Sequence, residues 1–578
     1  MGTAESGDPL YASAAWLDEF SKATSAGDEN AMRELFAPDC YWRDVVAFSG
    51  GIRTIHGRDE VIADLMPLSA AAGPTGFSIS PELTAPSLQP RGVGEVIEAF
   101  FDFETELFRC KGVVRLDPAD LRAVAFMSSA QELKGYEEPV EGRRPDLFEG
   151  APWSFDSEDP DVLIVGAGQA GLCLAARLRM MGVPTLVVEK NERVGDNWRK
   201  RYRSLKLHNI IQVNKFPFMS FPSSWPTYLP KDLYGDWLEV FAKSMDIEVW
   251  TETIFAGGEY DDGRWTVRVS GAAKGERVLH PRHVVMASGG FASVPNIPEL
   301  PGLDQFEGTW VHTTKVGGGE EFANQKVTIM GAGTSAHDLS VELIKNGCEV
   351  TMIQRSPIDV ISLEAANLYL GLFVERPAEE VDLISAANSA DVTRGAFQQL
   401  TQVAAEMDRE LRSDLERVGF RTSLGVEDAG YFWDFLQKGG SYYIDVGACK
   451  NIIDGTVRVI QADDVERFGP KGTYLLSSEL VEADSIILAT GFAPQEREVE
   501  ALFGDEVARR VGRIWGYGDD GELRNTWVPT RQEGLWFMGG GIPHARDYSR
   551  YVAIQLKLGL LGLTVGTRDA SLASHGGA

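Results

Sequence analysis

The residues best suited to chemistry in this chain are the glycines of two similar segments. In the first segment, DVLIVGAGQAGLCLAARL, Gly166, Gly168 and Gly171 follow an apolar strand, and Gln169 lies where an Ala/Leu-rich helix begins. The first glycine permits a tight turn, the second lets the backbone approach a pyrophosphate, and the third lets helix and strand pack closely. The N–H groups at the helix start then hold the phosphates. This spacing in this context predicts a dinucleotide site.

A carboxylate lies where the ribose of that nucleotide is expected. The next strand, Thr185–Val188, ends at Glu189, 23 residues after Gly166 (189 − 166). An acid at the end of the second strand of such a unit binds ribose hydroxyls. The first segment therefore predicts an FAD site.

The second segment, KVTIMGAGTSAHDLSVELIKNGCEVTMIQRS, repeats the pattern with Gly331, Gly333 and Ala336. Its second strand ends at Arg355, and a guanidinium at this place binds a ribose 2′-phosphate, which favours NADPH over NADH. Thr334 and Ser335 are predicted to add hydroxyl donors at the pyrophosphate. Two further apolar runs that end in small residues, 284–290 and 485–492 with Thr490, predict strands that return the chain between two interleaved nucleotide units.

A third motif lies between the two glycine segments. The pattern FxGxxxH begins at Phe306 and ends at His312, and YRSLKLHNIIQVNKFP lies upstream of it. With these motifs, residues 160–560 resemble the class B flavin monooxygenases, which include N-hydroxylating and S-oxidising enzymes, plant YUCCA-type enzymes and Baeyer–Villiger enzymes. The run 485–492 is similar to the second strand-end motif of this family.

The sequence also departs from the family pattern. Val316 replaces an aromatic residue that normally follows the signature histidine, and His312 is followed by Thr313. This His-Thr pair, together with an N-terminal extension, resembles the type II subgroup, whose members accept either nicotinamide. The subgroup resemblance therefore weakens the preference for NADPH.

The resemblance also implies roles for individual residues. His312 and Thr313 are expected to act in the reaction and to set the relation of the two nucleotide units. His208, shortly after the GDNW turn that contains Asn197 and Trp198, is expected to face the flavin, and the turn itself to contact it. No residue clearly matches the arginine that Baeyer–Villiger enzymes place beside the flavin. The candidates for that arginine are Arg421 and Arg546.

The reaction implied by the family is oxygenation of a small organic substrate with O2. NAD(P)H passes hydride to flavin N5, and O2 then forms a C4a-peroxyflavin that must be kept dry. The products would be those of Baeyer–Villiger oxidation or of S- or N-oxygenation. Three alternatives stay open: YUCCA-type oxidative decarboxylation of an indole-pyruvate-like acid, a flavoprotein reductase, and a binding module with an inactive flavin site. The absence of a second cysteine near Cys173 argues against a disulfide reductase.

The elements that position these residues form an α/β protein with two interleaved Rossmann-like units. The predicted divisions are 161–298 for the first part of the FAD-binding domain, 299–493 for NAD(P)H and 494–578 for the second part of the FAD-binding domain. Residues 136–160 are rich in Pro, Gly and charge and predict a linker. Residues 1–135 predict an α+β unit, with helices over 12–24, 29–36 and 57–65 and strands over 39–48, 96–103 and Phe108–Leu116. This order resembles the SnoaL/NTF2-like cone.

The N-terminal unit contains polar residues that could suggest catalysis, namely Asp39, Asp44 and His56. None forms a spaced pair with a second acid and a base, so structural roles are favoured, with Asp39 in a turn and Asp44 capping local structure. The apolar residues of the unit need cover, and cone domains often meet across two-fold axes. These residues are Trp16, Phe36, Trp42 and the run 100–103. We therefore expect a homodimer in which this unit also lines the substrate entrance.

Charge and cysteine usage limit the possible partners. The 85 acidic and 55 basic residues give a net charge of −30, which disfavours nucleic acid and anionic membrane surfaces as partners. No run of 18 apolar residues occurs, and 558–565 predicts a buried helix. The five cysteines show no CxxC pair, which indicates no metal site and favours a reducing, cytoplasmic location.

Overall fold

The computed structural model describes residues 8–92, 94–139, 153–289 and 294–565. Most of the predicted linker, Gly290 and the last thirteen residues lie outside this part of the chain. The helices are α1 Pro9–Ala26, α2 Glu29–Leu35, α3 Arg58–Ala72, α4 Gln169–Met180, α5 Asp196–Arg199, α6 Lys231–Ser244, α7 Thr334–Lys345, α8 Leu363–Ala366, α9 Gly371–Glu375, α10 Ala378–Ala386, α11 Ala390–Met407, α12 Arg409–Arg417, α13 Gly430–Lys438, α14 Ala448–Ile453, α15 Gln495–Phe503, α16 Asp505–Val511 and α17 Ile542–Leu561.

The strands are β1 Phe36–Val45, β2 Ile52–His56, β3 Thr75–Ile79, β4 Ser87–Arg91, β5 Gly94–Glu104, β6 Phe108–Leu116, β7 Ala123–Leu133, β8 Val162–Val165, β9 Thr185–Val188, β10 Val249–Trp250, β11 Thr253–Asp261, β12 Arg264–Gly271, β13 Gly275–Leu279, β14 His283–Met286, β15 Thr309–His312, β16 Lys326–Met330, β17 Glu349–Gln354, β18 Ile358–Ser362, β19 Thr422–Ser423, β20 Tyr442–Asp445, β21 Val457–Gln461, β22 Val465–Gly469, β23 Gly472–Leu475, β24 Leu480–Glu482, β25 Ser485–Leu488 and β26 Leu535–Phe537.

Two parallel sheets organise the part of the chain after the linker. The first has the order β10-β9-β8-β14-β26, and the second has the order β15-β25-β16-β17-β21. Strand β26 pairs with β14, so the chain returns to the first sheet after it has completed the second. The expected α/β class with two Rossmann-type units is confirmed. Among the described residues, no helix is long and apolar enough to cross a membrane.

The sequence prediction missed a largely helical insertion between β17 and β21. It contains α8 to α13 and a small parallel sheet of order β19-β18-β20. Its strands are short, so periodicity alone did not reveal it, although Ser362 and Ser389 cap the starts of α8 and α11. The predicted helix at 558–565 is also partly wrong, because α17 ends at Leu561 and Gly562 caps it in the left-handed region (φ 67°).

The N-terminal unit is a seven-stranded sheet of order β2-β1-β7-β6-β5-β3, in which β4 also pairs with β5. Helices α1 to α3 pack on one face over a dense aromatic core that includes Trp16, Phe20 and Phe126. Asp8 caps the start of α1, and Gly27 ends it at a positive φ of 65°. The unit is α+β as expected, whereas its NTF2-like assignment stays a prediction.

The apolar residues that suggested a dimer are covered within the chain itself. Trp16, Phe36 and Trp42 belong to the unit's own core, and Phe100 packs against residues of α10. These residues therefore no longer argue for a second subunit, and the homodimer stays a prediction.

The polar residues of the N-terminal unit that could have suggested catalysis are placed as follows in the structure. The buried Asp44 carboxylate accepts hydrogen bonds from Phe48, Ser49 and Ser128, as a structural residue would. Asp39 is exposed and lies in β1 rather than in the predicted turn. The register of β1 on β7 shifts between Phe36 and Tyr41, so Asp39 lies in an irregular part of the strand.

Candidate functional site

The two predicted glycine turns lie at the carboxyl ends of β8 and β16. Gly166 has a φ of 110°, and a methyl group placed on it would lie 2.5 Å from the Ala287 carbonyl oxygen. A methyl group on Gly171 would lie 2.1 Å from the Gly166 oxygen. On Gly168, by contrast, its nearest neighbour would be Asn197 Nδ2 at 3.6 Å. The outer glycines are required by packing within the protein, whereas the middle one leaves room for a side chain.

The second turn follows the same pattern. Gly331 has a φ of 128°, and a methyl group on it would lie 2.3 Å from the Ala489 oxygen. No atom would lie within 4 Å of a methyl group on Gly333. Ala336, the third position, is fully buried. Each turn thus leaves a cradle that the protein itself does not fill.

The starts of α4 and α7 fit a bound pyrophosphate. Each helix has a glycine at its N-cap, and no side chain accepts a hydrogen bond from its first N–H groups. Uncapped N–H groups at the positive end of a helix form an anion site. Near the first turn, the buried Trp198 Nε1 has no hydrogen-bond partner in the described part of the chain. Open glycine, free N–H groups and an unsatisfied donor together fit the phosphates of FAD.

Glu189 is fixed in place at the end of β9. Its carboxylate is buried and accepts hydrogen bonds from Ala167 N (3.0 Å), Asn191 N (2.8 Å) and Asn191 Nδ2 (2.7 Å). Four lone-pair sites exist on a carboxylate, so acceptor capacity remains for a ribose hydroxyl. The geometry fits the role predicted for this residue.

Arg355, at the end of β17, is not fixed in place as Glu189 is. The residue is exposed, and within the described chain no carboxylate pairs with its guanidinium. Of the two hydroxyls predicted to donate at this site, Thr334 Oγ1 donates instead to the Tyr442 carbonyl oxygen at 2.9 Å. In this structure the Thr334 hydroxyl therefore donates to the neighbouring strand β20, and its role at the pyrophosphate stays a prediction. Ser335, at the start of α7, is half-buried and stays a candidate.

His312 joins the second unit to the crossover after β25. Its Nδ1 accepts a hydrogen bond from Thr314 N (3.2 Å), so Nε2 carries the proton and donates to the Gly491 oxygen at 2.9 Å. Burial lowers the pKa of His312 below its usual range, which keeps the ring neutral. Thr313 follows it in a half-buried turn. Thr490 Oγ1 donates to the Asn296 oxygen at 2.5 Å, which ties the crossover to the first unit.

His208 lies where the first unit packs on α7 of the second. Burial lowers its pKa, and the nearby charge of Asp338 opposes this effect. Tyr202 OH donates to Asp338 Oδ2 at 2.5 Å, and Asp338 Oδ1 has no partner among the described residues. His208 thus lies at the boundary between the two nucleotide units, beside the helix of the second glycine turn.

Both arginines considered for a place beside the flavin form ion pairs in this structure. Arg546 is buried in an ion pair with Asp382 (2.6 Å) and also donates to backbone oxygens. Arg421 is on the surface and pairs with Asp463 at 3.1 Å. Long-range contacts occupy both side chains, and the sequence does not show such contacts.

A third glycine turn was missed by the sequence analysis. Strand β26 runs into residues 539–541, where Gly540 has a φ of 92°, and α17 begins directly after them. His544 Nδ1 accepts a hydrogen bond from Gly541 N at 3.2 Å. The apolar run followed by three glycines and a helix in LWFMGGGIP was the available signal. This turn lies at the same edge of the first sheet as Gly166.

A cavity of about 920 Å³ is lined by the crossover after β25, by helices α15 and α16 and by the segment that follows them. Phe492, from the crossover after β25, lines it and contacts the His312 ring (centroids 5.7 Å apart). Trp515 lines it on the other side and would lie 3.8 Å from a methyl group on Gly539. The cavity therefore has residues of both units in its wall.

Comparison with known proteins agrees with this geometry. Residues 163–369 match the family described as pyridine nucleotide-disulphide oxidoreductase. The chain is 31% identical over 344 residues to the probable indole-3-pyruvate monooxygenase YUCCA4 of Arabidopsis thaliana, covering 58% of this chain and 75% of that protein. It is 29% identical over 343 residues to indole-3-pyruvate monooxygenase YUCCA1 of Oryza sativa subsp. japonica, covering 58% and 77% respectively.

A solved structure shows the same fold. The ε-caprolactone-bound crystal structure of cyclohexanone monooxygenase in its loose conformation superposes with a TM-score of 0.50 at 19% identity, covering 70% of this chain and 89% of that one. FAD and NADPH are the cofactors typical of flavin monooxygenases of this type. With two glycine turns, a crossover held by His312 and these relatives, the chain belongs to the class B flavin-dependent monooxygenases.

Proposed function

We propose that this chain takes electrons from NAD(P)H and inserts one atom of O2 into a small organic substrate, by Baeyer–Villiger oxidation of a ketone or by S- or N-oxygenation. The observation that carries the proposal is the cavity lined by Phe492 from one unit and Trp515 from the other. Bound FAD would supply hydride acceptance and O2 activation. A reducing, cytoplasmic location is proposed from the five buried, unpaired cysteines.

The residues of the chain have separable roles in this proposal. Gly168 and the start of α4 bind the FAD pyrophosphate, and Glu189 binds its ribose. Gly333, Ser335 and Arg355 bind NADPH. His312, neutral and hydrogen-bonded at both nitrogens, holds the crossover, while Trp515 and Phe492 line the cavity. The same division assigns 161–298 and 494–565 to the FAD unit and 299–493 to the NAD(P)H unit.

A product panel tests the proposal. The purified protein is given NADPH or NADH, air and cyclic ketones, thioethers, amines or indole-pyruvate, and products are read by mass. We expect a product heavier by one oxygen atom from a cyclic ketone or thioether. A colourless protein that cannot be reconstituted with FAD would contradict the flavin assignment.

One observation favours a second reaction, oxidative decarboxylation of an indole-pyruvate-like acid. Arg513 lines the cavity, and its Nη2 and Arg524 Nη1 both lie close to Gly516, at 3.2 and 3.5 Å from a methyl group placed there. Within the described chain neither guanidinium pairs with a carboxylate. Two adjacent cations suit a substrate carboxylate. This second candidate predicts that Arg513→Ala raises the KM for the acid about tenfold and leaves the KM for a neutral ketone unchanged.

A further inference from the structure

Helix α10 of the insertion is capped by side chains of the N-terminal unit. Its last carbonyl groups have no partner within the helix, and they lie at the negative end of its dipole. Three donors from the outer face of the N-terminal sheet satisfy them. The bonds are Arg115 Nη2 to Ile384 O (3.2 Å), Arg43 Nη1 to Ala386 O (2.9 Å) and Tyr41 OH to Ala387 O (2.8 Å).

The two capping arginines are buried and fully paired. Arg115 is completely buried and donates from Nε to Glu98 Oε2 at 3.0 Å, and Glu98 also pairs with Arg91. Arg43 forms a two-bond ion pair with Glu522, at 2.7 and 2.8 Å. Buried charges are stable only when they are paired and hydrogen-bonded in this way. The contact is therefore specific and held in one geometry.

Apolar packing supports the same contact. On the outer face of the N-terminal sheet, three side chains form one buried cluster with the last turn of α10. The cluster contains Phe100, Val113, Met127, Leu383, Ile384, Ala386 and Ala387. At the other end of the helix, Thr84 donates from N (2.8 Å) and Oγ1 (2.8 Å) to the Glu380 carboxylate. The N-terminal unit thus holds both ends of α10.

The opposite side of α10 holds a loop of the first nucleotide unit. Asp382 pairs with Arg546 of α17 through two bonds, at 2.6 and 2.8 Å. Arg546 Nη1 in turn donates to the Val213 oxygen (2.9 Å) and the Lys215 oxygen (3.1 Å). These two carbonyl groups belong to the loop 207–216, which contains His208 at the boundary of the two nucleotide units.

We propose that the N-terminal unit is a positioning domain for the loop 207–216. The contacts run from Arg115 and Arg43 to α10, from Asp382 to Arg546, and from Arg546 to the backbone of the loop. Arg115, Asp382 and Arg546 are positioning residues, because they act on the site through other groups. The contacts are independent of the proposed function, whereas any effect on product formation rests on it.

Amide hydrogen exchange on the full-length, FAD-loaded protein tests the proposal. The variants are Arg115→Met, which removes a cap, and Asp382→Asn, which keeps the side-chain shape and removes the charge. Arg91→Met is the matched control, since Arg91 pairs with the same Glu98 and, in the described structure, makes no hydrogen bond to α10. Each variant is also checked for FAD content and melting temperature.

We expect Asp382→Asn to speed exchange in 207–216 about tenfold or more, because a charge-assisted bond is lost. Arg115→Met should speed exchange in 378–388 by a similar factor and in 207–216 by a smaller one. Arg91→Met should leave both segments unchanged. With a substrate, the first two variants should release more hydrogen peroxide per NADPH oxidised than the control does.

Unchanged exchange in 207–216 for folded Asp382→Asn would overturn the proposal, and so would equal changes in the Arg91→Met control. If Arg115→Met does not fold, the exchange rate of residues 207–216 in Asp382→Asn alone decides whether the proposal holds. A wild-type protein without oxygenase activity would end the proposed function and leave the exchange result valid.

Discussion

The two nucleotide units share one plan and differ at the end of their second strand. In the first unit Glu189 is buried and held by three hydrogen bonds before any ligand arrives. In the second unit Arg355 is exposed, and the described chain provides no partner for it. A site that is fixed in advance loses little side-chain entropy on binding, whereas an exposed arginine must be ordered each time. The first site suits a cofactor that stays, and the second suits one that exchanges.

Substitution of the middle glycine of each turn is expected to have the largest effect, which is loss of cofactor binding. Gly168→Val should fold, since the space around Gly168 is open, yet it should lose FAD because the side chain fills the pyrophosphate cradle. Released flavin and absorbance report this. The matched change Gly333→Val should keep FAD and weaken NADPH binding. Loss of FAD from both variants would show that the two cradles are not separate sites.

Substitution of the third residue of each glycine motif, Gly171 or Ala336, is expected to have the second largest effect, a loss of stability. Gly171→Ala should reduce the free energy of unfolding by about 1–3 kcal/mol, because the new methyl group meets the Gly166 oxygen. The reverse change in the second unit, Ala336→Gly, should cost about 1 kcal/mol through helix propensity. Thermal or denaturant unfolding measures both. Equal losses would mean that the two helices pack on their turns in the same way.

The arginine of the second unit gives a smaller effect on binding. Arg355→Ala should raise the KM for NADPH about tenfold or more, as expected for one charge-assisted pairing of ~1.5–3 kcal/mol. The KM for NADH should change little, since NADH lacks the 2′-phosphate. Steady-state kinetics with NADPH and with NADH measures both KM values. Similar losses with NADPH and NADH would mean that Arg355 does not bind this phosphate.

The smallest expected effect concerns how the free energy of unfolding depends on pH. It comes from two buried histidines, each of which lies beside a glycine turn of one unit. Burial lowers the pKa of His544, beside Gly541, and of His337, beside Gly333, to about 4. The unfolded chain, with a histidine pKa near 6.5, therefore binds these protons more tightly than the folded chain. Their contribution to stability is complete above about pH 6.5 and falls as the pH drops toward 4.

Unfolding midpoints between pH 4 and 7 measure this dependence. His544→Gln and His337→Gln should each flatten the curve below pH 6.5, because the variant side chain does not titrate there. A wild-type midpoint that does not change across this window would contradict the prediction.

Sequence and structure agree best where the fold depends on local geometry. The strands Val162–Val165 and Thr185–Val188 and the glycine turns lie where their residues predicted them, because a short apolar run, a positive φ and a helix start are properties of neighbouring residues. The family assignment followed from the same local motifs. The turn at 539–541 carried a similar signal, but its place in the first sheet depends on the pairing of β26 with a distant strand.

The sequence by itself determined the two Rossmann-type units, their order and the positions of their glycine turns. Only the tertiary structure decided what lies between them: the cavity, the loop at His208 and the helix that holds it. Arg546 illustrates the reason, because its partner Asp382 is 164 residues away and the two carbonyl groups it binds belong to residues 213 and 215. A buried charge must find its partner wherever the folded chain brings one, and no local pattern records that distance.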